Sequence, residues 1–340
     1  ARHCVRTHWY SSISMPTSVL VHANLRYDNG RANKFLATGA QRLFFRPVGC
    51  LETGRSAVKL ESGTGFTATF CVRARTARQG RSRADCLIVI IAEHSMPEGP
   101  SLVILKELAK PFEGRTIAEA HGNSSTVPYD ELPGQPILSV RTWGKHFLIE
   151  LPLFSLRVHF LMFGSYRIDE RKDGATPRMS LAFEEGGELN FYTCSIKPVE
   201  GELDDAYEWQ ADVMADEWKP AAALKKLRAM PDTLVCDALL DQTVFSGVGN
   251  IIKNEVLFRI RVHPESTVGA LPATKLRELV KEARQYSFQF LEWKKAYVLK
   301  QHWLAHTKRI CPRCNIAFHK AHLGKTKRRT FWCERCQKRY

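Results

Sequence analysis

Two Cys-x-x-Cys pairs near the C-terminus, Cys311-Pro312-Arg313-Cys314 and Cys333-Glu334-Arg335-Cys336, restrict what the end of this chain can fold into. Eighteen residues lie between the pairs, a spacing that lets two tight turns present four thiolates tetrahedrally to one zinc ion. Four sulfur ligands leave no open coordination position, so such a metal builds structure and does no chemistry. A hairpin of this size buries too little apolar surface to fold without its metal. Redox chemistry and chance pairing are the alternatives. The basic run Lys325-Thr326-Lys327-Arg328-Arg329-Thr330 between the pairs suits phosphates. Six further cysteines (Cys4, Cys50, Cys71, Cys86, Cys194, Cys236) follow no pattern. Residues 1–30 lack a signal peptide's order, so reduced, metal-binding cysteines are favoured over disulfides.

The net charge of +15 is unevenly spread over the 340 residues. Residues 1–95 carry 14 Lys/Arg against 5 Asp/Glu, and residues 301–340 carry 11 against 1. The intervening stretch holds 25 against 29 and is slightly acidic. A basic C-terminal cluster fits a polyanionic partner, because phosphate contacts supply most sequence-independent affinity; a merely solvated tail is the bland alternative. No run approaches the ~18 apolar residues of a membrane span. The charge distribution thus suits a polyanionic partner, and no run is long enough to cross a membrane as a helix.

Four segments differ in texture. Residues 1–95 form a basic extension, with twelve arginines but two lysines and no sustained period. Within it, residues 73–83 read as a disordered basic linker. An organelle-targeting piece, or translation from upstream of the true start, would account for the extension. Residues 96–218 form a β-rich segment with a helix at its head. Pro100 suits a first helical turn, and strand-like runs fall at 137–140, 146–151 and 156–162. Runs at 179–183 and 188–193 flank Glu184-Glu185-Gly186-Gly187 as a hairpin. Residues 219–305 turn helical, at 221–229, 233–240, 251–258 with Asn250 as N-cap, 273–283 and 286–299. Residues 306–340 hold the cysteine hairpin. The fold class is α+β: a β-sandwich with a leading helix, a helical domain, and a metal-bound β-hairpin.

Two further motifs carry chemistry. Gly247-Val248-Gly249-Asn250 precedes a helix, and glycines there expose amide donors that favour an anion. A purely structural loop-to-helix turn reads the same way. Met96-Pro97-Glu98-Gly99-Pro100 places a glutamate at a helix start.

Together these motifs, in this order, resemble the formamidopyrimidine-DNA glycosylase and endonuclease VIII family over residues 96–340. In that family the initiator methionine is removed and the free proline amine is the nucleophile. Here Pro97 is written as an internal amide, which has no available lone pair. The resemblance implies a base-excision-repair DNA glycosylase with AP lyase activity, provided Pro97 becomes a chain end. Its amine would form a Schiff base at C1′, followed by β,δ-elimination. Glu98 matches the acid/base carboxylate, or is simply a helix N-terminal acid. Lys145, in Trp143-Gly144-Lys145-His146, matches a lysine reaching the DNA backbone; an exposed turn lysine is the alternative.

In the helix–two-turn–helix element Asn250 inherits a backbone-binding role, and in the zinc hairpin Arg328 inherits the phosphate contact, with Arg329 one residue away. Leu161, Met162 and Phe163 align with the loop that fills the vacancy left by an extruded base, Met162 first; core packing is the competing reading. Gly99, together with the absence of an Arg-Arg-Phe segment near residues 191–195, favours the endonuclease VIII branch and oxidised pyrimidines. So does the absence of a glycine-bearing loop over residues 286–310. The implied partner is double-stranded DNA with oxidised bases or abasic sites, bound by a monomer. The implied location is a bacterial-type nucleoid, an organelle or a nucleus. A scaffold that binds lesions without cutting, and a zinc-stabilised RNA- or ribosome-associated module, are the rival readings.

Overall fold

The computed structural model describes residues 97–340 in full and, before them, only the backbone of five strands. Three of these pair antiparallel in the order Leu43–Leu51, Arg55–Ser62, Thr67–Arg73. The sequence had suggested no strand period there, because Pro47 and Gly49 interrupt the alternation where the register shifts between Val48 and Cys50. The linker expected after Arg73, and the account of residues 1–95 as leader or upstream translation, otherwise lie outside the described residues. Residues 1–93 and 94–340 are separate compact units, and the second carries the site.

That unit opens with α1 (Gly99–Ala109), whose Leu102, Leu105 and Ala109 are buried. Pro100 sits in its first turn, where a missing N–H costs no hydrogen bond. Two four-stranded antiparallel sheets follow. One contains β1 (Ile117–His121), β5 (Ser165–Ile168), β6 (Met179–Phe183) and β7 (Glu188–Tyr192), in the order β5-β7-β6-β1. The other contains β2 (Ser139–Trp143), β3 (His146–Glu150), β4 (Ser155–His159) and β8 (Ser195–Val199), in the order β8-β4-β3-β2. Their facing side chains, among them Phe147, Ile149, Val158, Leu181, Leu189 and Phe191, form one apolar cluster. Burying such a side chain contributes roughly 1.5–3 kcal/mol, so this layer is the sandwich's main support.

A second core gathers Val213, Phe245, Ile252, Leu279, Tyr286 and Phe290 around α2 (Pro220–Arg228), α3 (Asn250–Arg259) and α4 (Ala273–Lys295). A hairpin of β9 (His319–Leu323) and β10 (Arg328–Trp332) packs on α3 and completes the α+β architecture.

Several local expectations change. The patterns at 273–283 and 286–299 fuse into α4, because Arg284 and Gln285 are good helix formers and Tyr286 is buried in the core. The helix read at 233–240 shrinks to one turn at Val235–Ala238. Strands β1, β5 and β8 were not foreseen; Pro198 and uniformly half-buried side chains at 165–168 blur the alternation. Strand β4 stops at His159, so Met162 lies beyond it, after Leu161 adopts a left-handed backbone (φ 52°). Asn250 is not the N-cap. It is the first residue of α3, and the cap position falls to Gly249.

Candidate active site

Three glycines bring three distant segments together. The Gly99 N–H donates to the Gly247 carbonyl at 2.9 Å, and a Cβ on Gly99 would lie 2.9 Å from Gly247 Cα. Gly144 takes φ +55° at the first central position of the two-residue β2–β3 turn, as a type II′ turn requires. A Cβ there would overlap Ser246 and approach Gly247 N to 2.8 Å. Backbone contact this close is available only without side chains. It assembles the start of α1, the Lys145 turn and the loop entering α3.

Glu98 lies inside this junction, 1 % exposed. Its Oε1 accepts the Ile251 N–H at 2.7 Å, and its Oε2 accepts those of Gly249 and Ile252, both at 3.2 Å. The carboxylate therefore caps α3, a helix 150 residues further on, and makes no side-chain cap to its own helix α1. This explains why Asn250 need not cap: the orphan amides of α3 are already satisfied. Burial pushes the Glu98 pKa up, opposed by the Lys145 charge and then by the amides of Ile251, Ile252 and Gly249. A carboxyl held so can both keep and release a proton.

Pro97 precedes it, half-buried. Burial pulls the Lys145 ammonium down from its ordinary pKa, Glu98 pulls it back up, and Arg328 pushes it down. Glu98, Lys145 and Arg328 thus share one electrostatic neighbourhood. Of the two adjacent arginines, Arg328 is the one whose charge reaches Lys145, whereas that of Arg329 bears on His306.

Helix α3 also holds the hairpin. Asn250 Nδ2 donates to the Arg329 carbonyl at 3.0 Å, while its Oδ1 is buried without a partner. Asn254 Oδ1 accepts the Phe331 N–H at 3.1 Å. Lys253, 1 % exposed, donates to Thr330 Oγ1 at 2.7 Å, and burial lowers its pKa to about 8. Glu255 accepts the amides of Leu304, Ala305 and His306. The sequence gives Lys253, Asn254 and Glu255 no role of their own; their one signal is three polar residues in succession on a helix with a largely buried face.

The four expected cysteines do meet. The sulfurs of Cys311, Cys314, Cys333 and Cys336 all lie within 4.8 Å of one another and could hold a metal ion. Leu161, Met162 and Phe163 are exposed (49 %, 50 % and 63 %), which removes the core-packing alternative. They stand on the loop after β4, separate from the junction contacts.

A β-sandwich, a helix–two-turn–helix and a cysteine hairpin in this order define the fold of the formamidopyrimidine-DNA glycosylases. The solved Lactococcus lactis enzyme, bound non-covalently to DNA with an abasic site, superposes at a TM-score of 0.63 and 20 % identity, over 71 % of this chain and 100 % of that one. The wild-type Lactococcus lactis enzyme with oxidised-pyrimidine DNA gives 0.64 and 20 %, over 72 % and 100 %.

Family models match in two places: the formamidopyrimidine-DNA glycosylase N-terminal domain at residues 96–194 and the corresponding H2TH domain at residues 211–296. The chain belongs to the formamidopyrimidine-DNA glycosylase and endonuclease VIII family. Relatives include mouse endonuclease 8-like 3 (31 % identical, 58 % of this chain, 34 % of that protein). Human endonuclease 8-like 2 is 33 % identical, over 54 % of this chain and 57 % of that protein. The chain thus spans between a third and three fifths of these relatives' lengths.

Proposed function

We propose that this chain is a base-excision-repair DNA glycosylase with AP lyase activity, acting as a monomer on duplex DNA with oxidised bases or abasic sites. The observation that carries the reading is Glu98: a carboxyl buried on the amides of α3, next to Pro97 and in the field of Lys145. With Pro97 as a chain end, its secondary amine attacks C1′ of the damaged nucleotide and the base departs. A terminal amine titrates near ~8, so roughly a tenth is unprotonated at neutral pH. Glu98 assists opening of the sugar ring and passes protons; the iminium acidifies the C2′ hydrogen, and elimination breaks the strand. Lys145, Asn250 and Arg328 hold the phosphates flanking the lesion, and Met162, with Leu161 and Phe163, fills the space left by the extruded base.

The metal is zinc in this reading. Tetrahedral zinc–thiolate bonds of ~2.3 Å require sulfurs about 3.8 Å apart. The Cys311 and Cys336 sulfurs are separated by 3.8 Å. Residues 96–218, 219–305 and 306–340 serve as catalytic, DNA-binding and zinc-hairpin segments. Oxidised pyrimidines are the preferred lesions: α4 runs to Lys295 and is followed by a turn at Leu299–His302 with no glycine. Such a protein works wherever DNA is housed.

Borohydride trapping on an abasic duplex tests the reading. A covalent adduct on Pro97 in protein starting at that residue, and none in intact full-length chain, is expected. Tight binding without an adduct from the Pro97-started protein would favour the rival, a scaffold that binds lesions without cutting.

A further inference from the structure

Asp212 has no part in the chemistry above, yet it sits in the same junction and is 2 % exposed. Its Oδ2 accepts the Gly144 N–H at 2.9 Å and its Oδ1 accepts that of Met214 at 2.8 Å. Residues 211–213 run beside Ser246: the Ser246 N–H donates to Ala211 at 2.8 Å, and Val213 donates back to Ser246 at 3.2 Å. One buried carboxylate thus joins the turn bearing Lys145 to the segment that lies against the α3 entry loop. No lysine, arginine or histidine among the described residues forms an ion pair with it.

We propose that Asp212 is a positioning residue: as a carboxylate it fixes the Gly144–Lys145 turn against the loop entering α3, and so sets where the Lys145 ammonium stands relative to Glu98. The inference rests on the glycosylase reading for its effect on catalysis, but its structural half does not. Two amides need two acceptor oxygens. An asparagine presents an N–H2 to one of them, and a protonated carboxyl accepts there only through its weaker hydroxyl oxygen, so the turn's anchor weakens.

The electrostatics make this hold conditional on pH. Burial raises the Asp212 pKa to about 6, opposed by the Gly144 and Met214 amides and then by Lys106 of α1 and Arg284 of α4. A folded-state pKa above the unfolded value means that the group contributes stability below about 3.9 that is lost as pH rises through about 6. At neutral pH the ionised form therefore costs stability. Acidification should strengthen the fold at this residue while loosening the Lys145 turn, two changes of opposite sign.

The test uses the full chain and its Asp212→Asn variant, with amide resonances of Gly144 and Met214 followed from about pH 5 to about pH 8. Thermal stability and the borohydride-trapping rate on an abasic duplex are read alongside. Trapping uses protein whose start at Pro97 has been verified. Both amides should titrate with one midpoint near 6 in the parent and stay flat in the variant. Trapping by the variant should be slower by about 10- to 100-fold, the size of effect a misplacement near 1 Å produces. Its profile should lack the limb near 6, while any limb from Glu98 stays in both proteins. Parent amides that do not titrate together, or a variant that traps at the parental rate and pH profile, would overturn the proposal. If the parent sequence started at Pro97 traps nothing, the glycosylase reading falls, and the amide titration still decides whether Asp212 holds the turn.

Discussion

Adding one methyl group at Gly249 should unmake the junction. The backbone there is extended (φ −119°, ψ −164°), a conformation alanine accepts, so any effect comes from contact and not from strain. An alanine Cβ would fall 2.6 Å from Glu98 Oε1 and closer still to that side chain's inner carbons. Glu98 is enclosed and cannot swing within its site, so it must leave the α3 terminus. Three charge-assisted hydrogen bonds are lost, each worth about 1.5–3 kcal/mol. Against this, the expelled carboxylate regains the hydration whose loss raises its pKa, and water can reach some of the freed amides. The net cost expected is about 2–4 kcal/mol. For a unit of this size each kcal/mol lowers Tm by about 2–4 °C. Calorimetry of Gly249→Ala should show a fall of that order, and trapping on an abasic duplex should drop by about 100-fold or more. A variant melting within about 1 °C of the parent, and trapping at the parental rate, would refute the assignment of Glu98 to the helix terminus.

Four other outcomes follow from the same geometry. Because burial raises the Glu98 pKa above the usual carboxylate range, its stabilising contribution is present at low pH and lost as pH rises through the folded value. Glu98→Gln should remove that pH-dependent increment from thermal melts and reduce trapping by about 100-fold or more. Cys333→Ser should abolish zinc binding by mass spectrometry and weaken DNA binding, with the loss confined to protein lacking metal. Met162→Ala, at a half-exposed position, should leave stability within about 0.5 kcal/mol but slow base removal from duplex DNA in single-turnover assays. Arg328→Ala should lower the slope of log affinity against log salt by about one; the same change at Arg329, whose charge bears on His306, should lower it less.

Much of this protein was legible before folding because it is written in local patterns. The two Cys-x-x-Cys pairs announce a four-sulfur site, since the turns that present the thiols are built from adjacent residues. The glycines before α3 and the proline in the first turn of α1 also declare themselves, because backbone freedom and helix starts are short-range properties. What the linear order could not supply was partnership between distant residues. Nothing near Glu98 indicates that it caps α3 and leaves α1 without a side-chain cap, nor that Asn250 thereby loses the capping role assigned to it. The exposure of Leu161, Met162 and Phe163 was equally undecidable, since an apolar run beside a strand is written alike whether buried or displayed. Lys253 and Asp212 look like ordinary surface charges until packing removes their water. Spacing along the chain therefore marked most helices and the central strands, and the four cysteines that could hold a metal ion. The junction around Glu98 was decided only by tertiary contact, because the shift of a carboxyl or amine depends on which dipoles and charges replace its solvent.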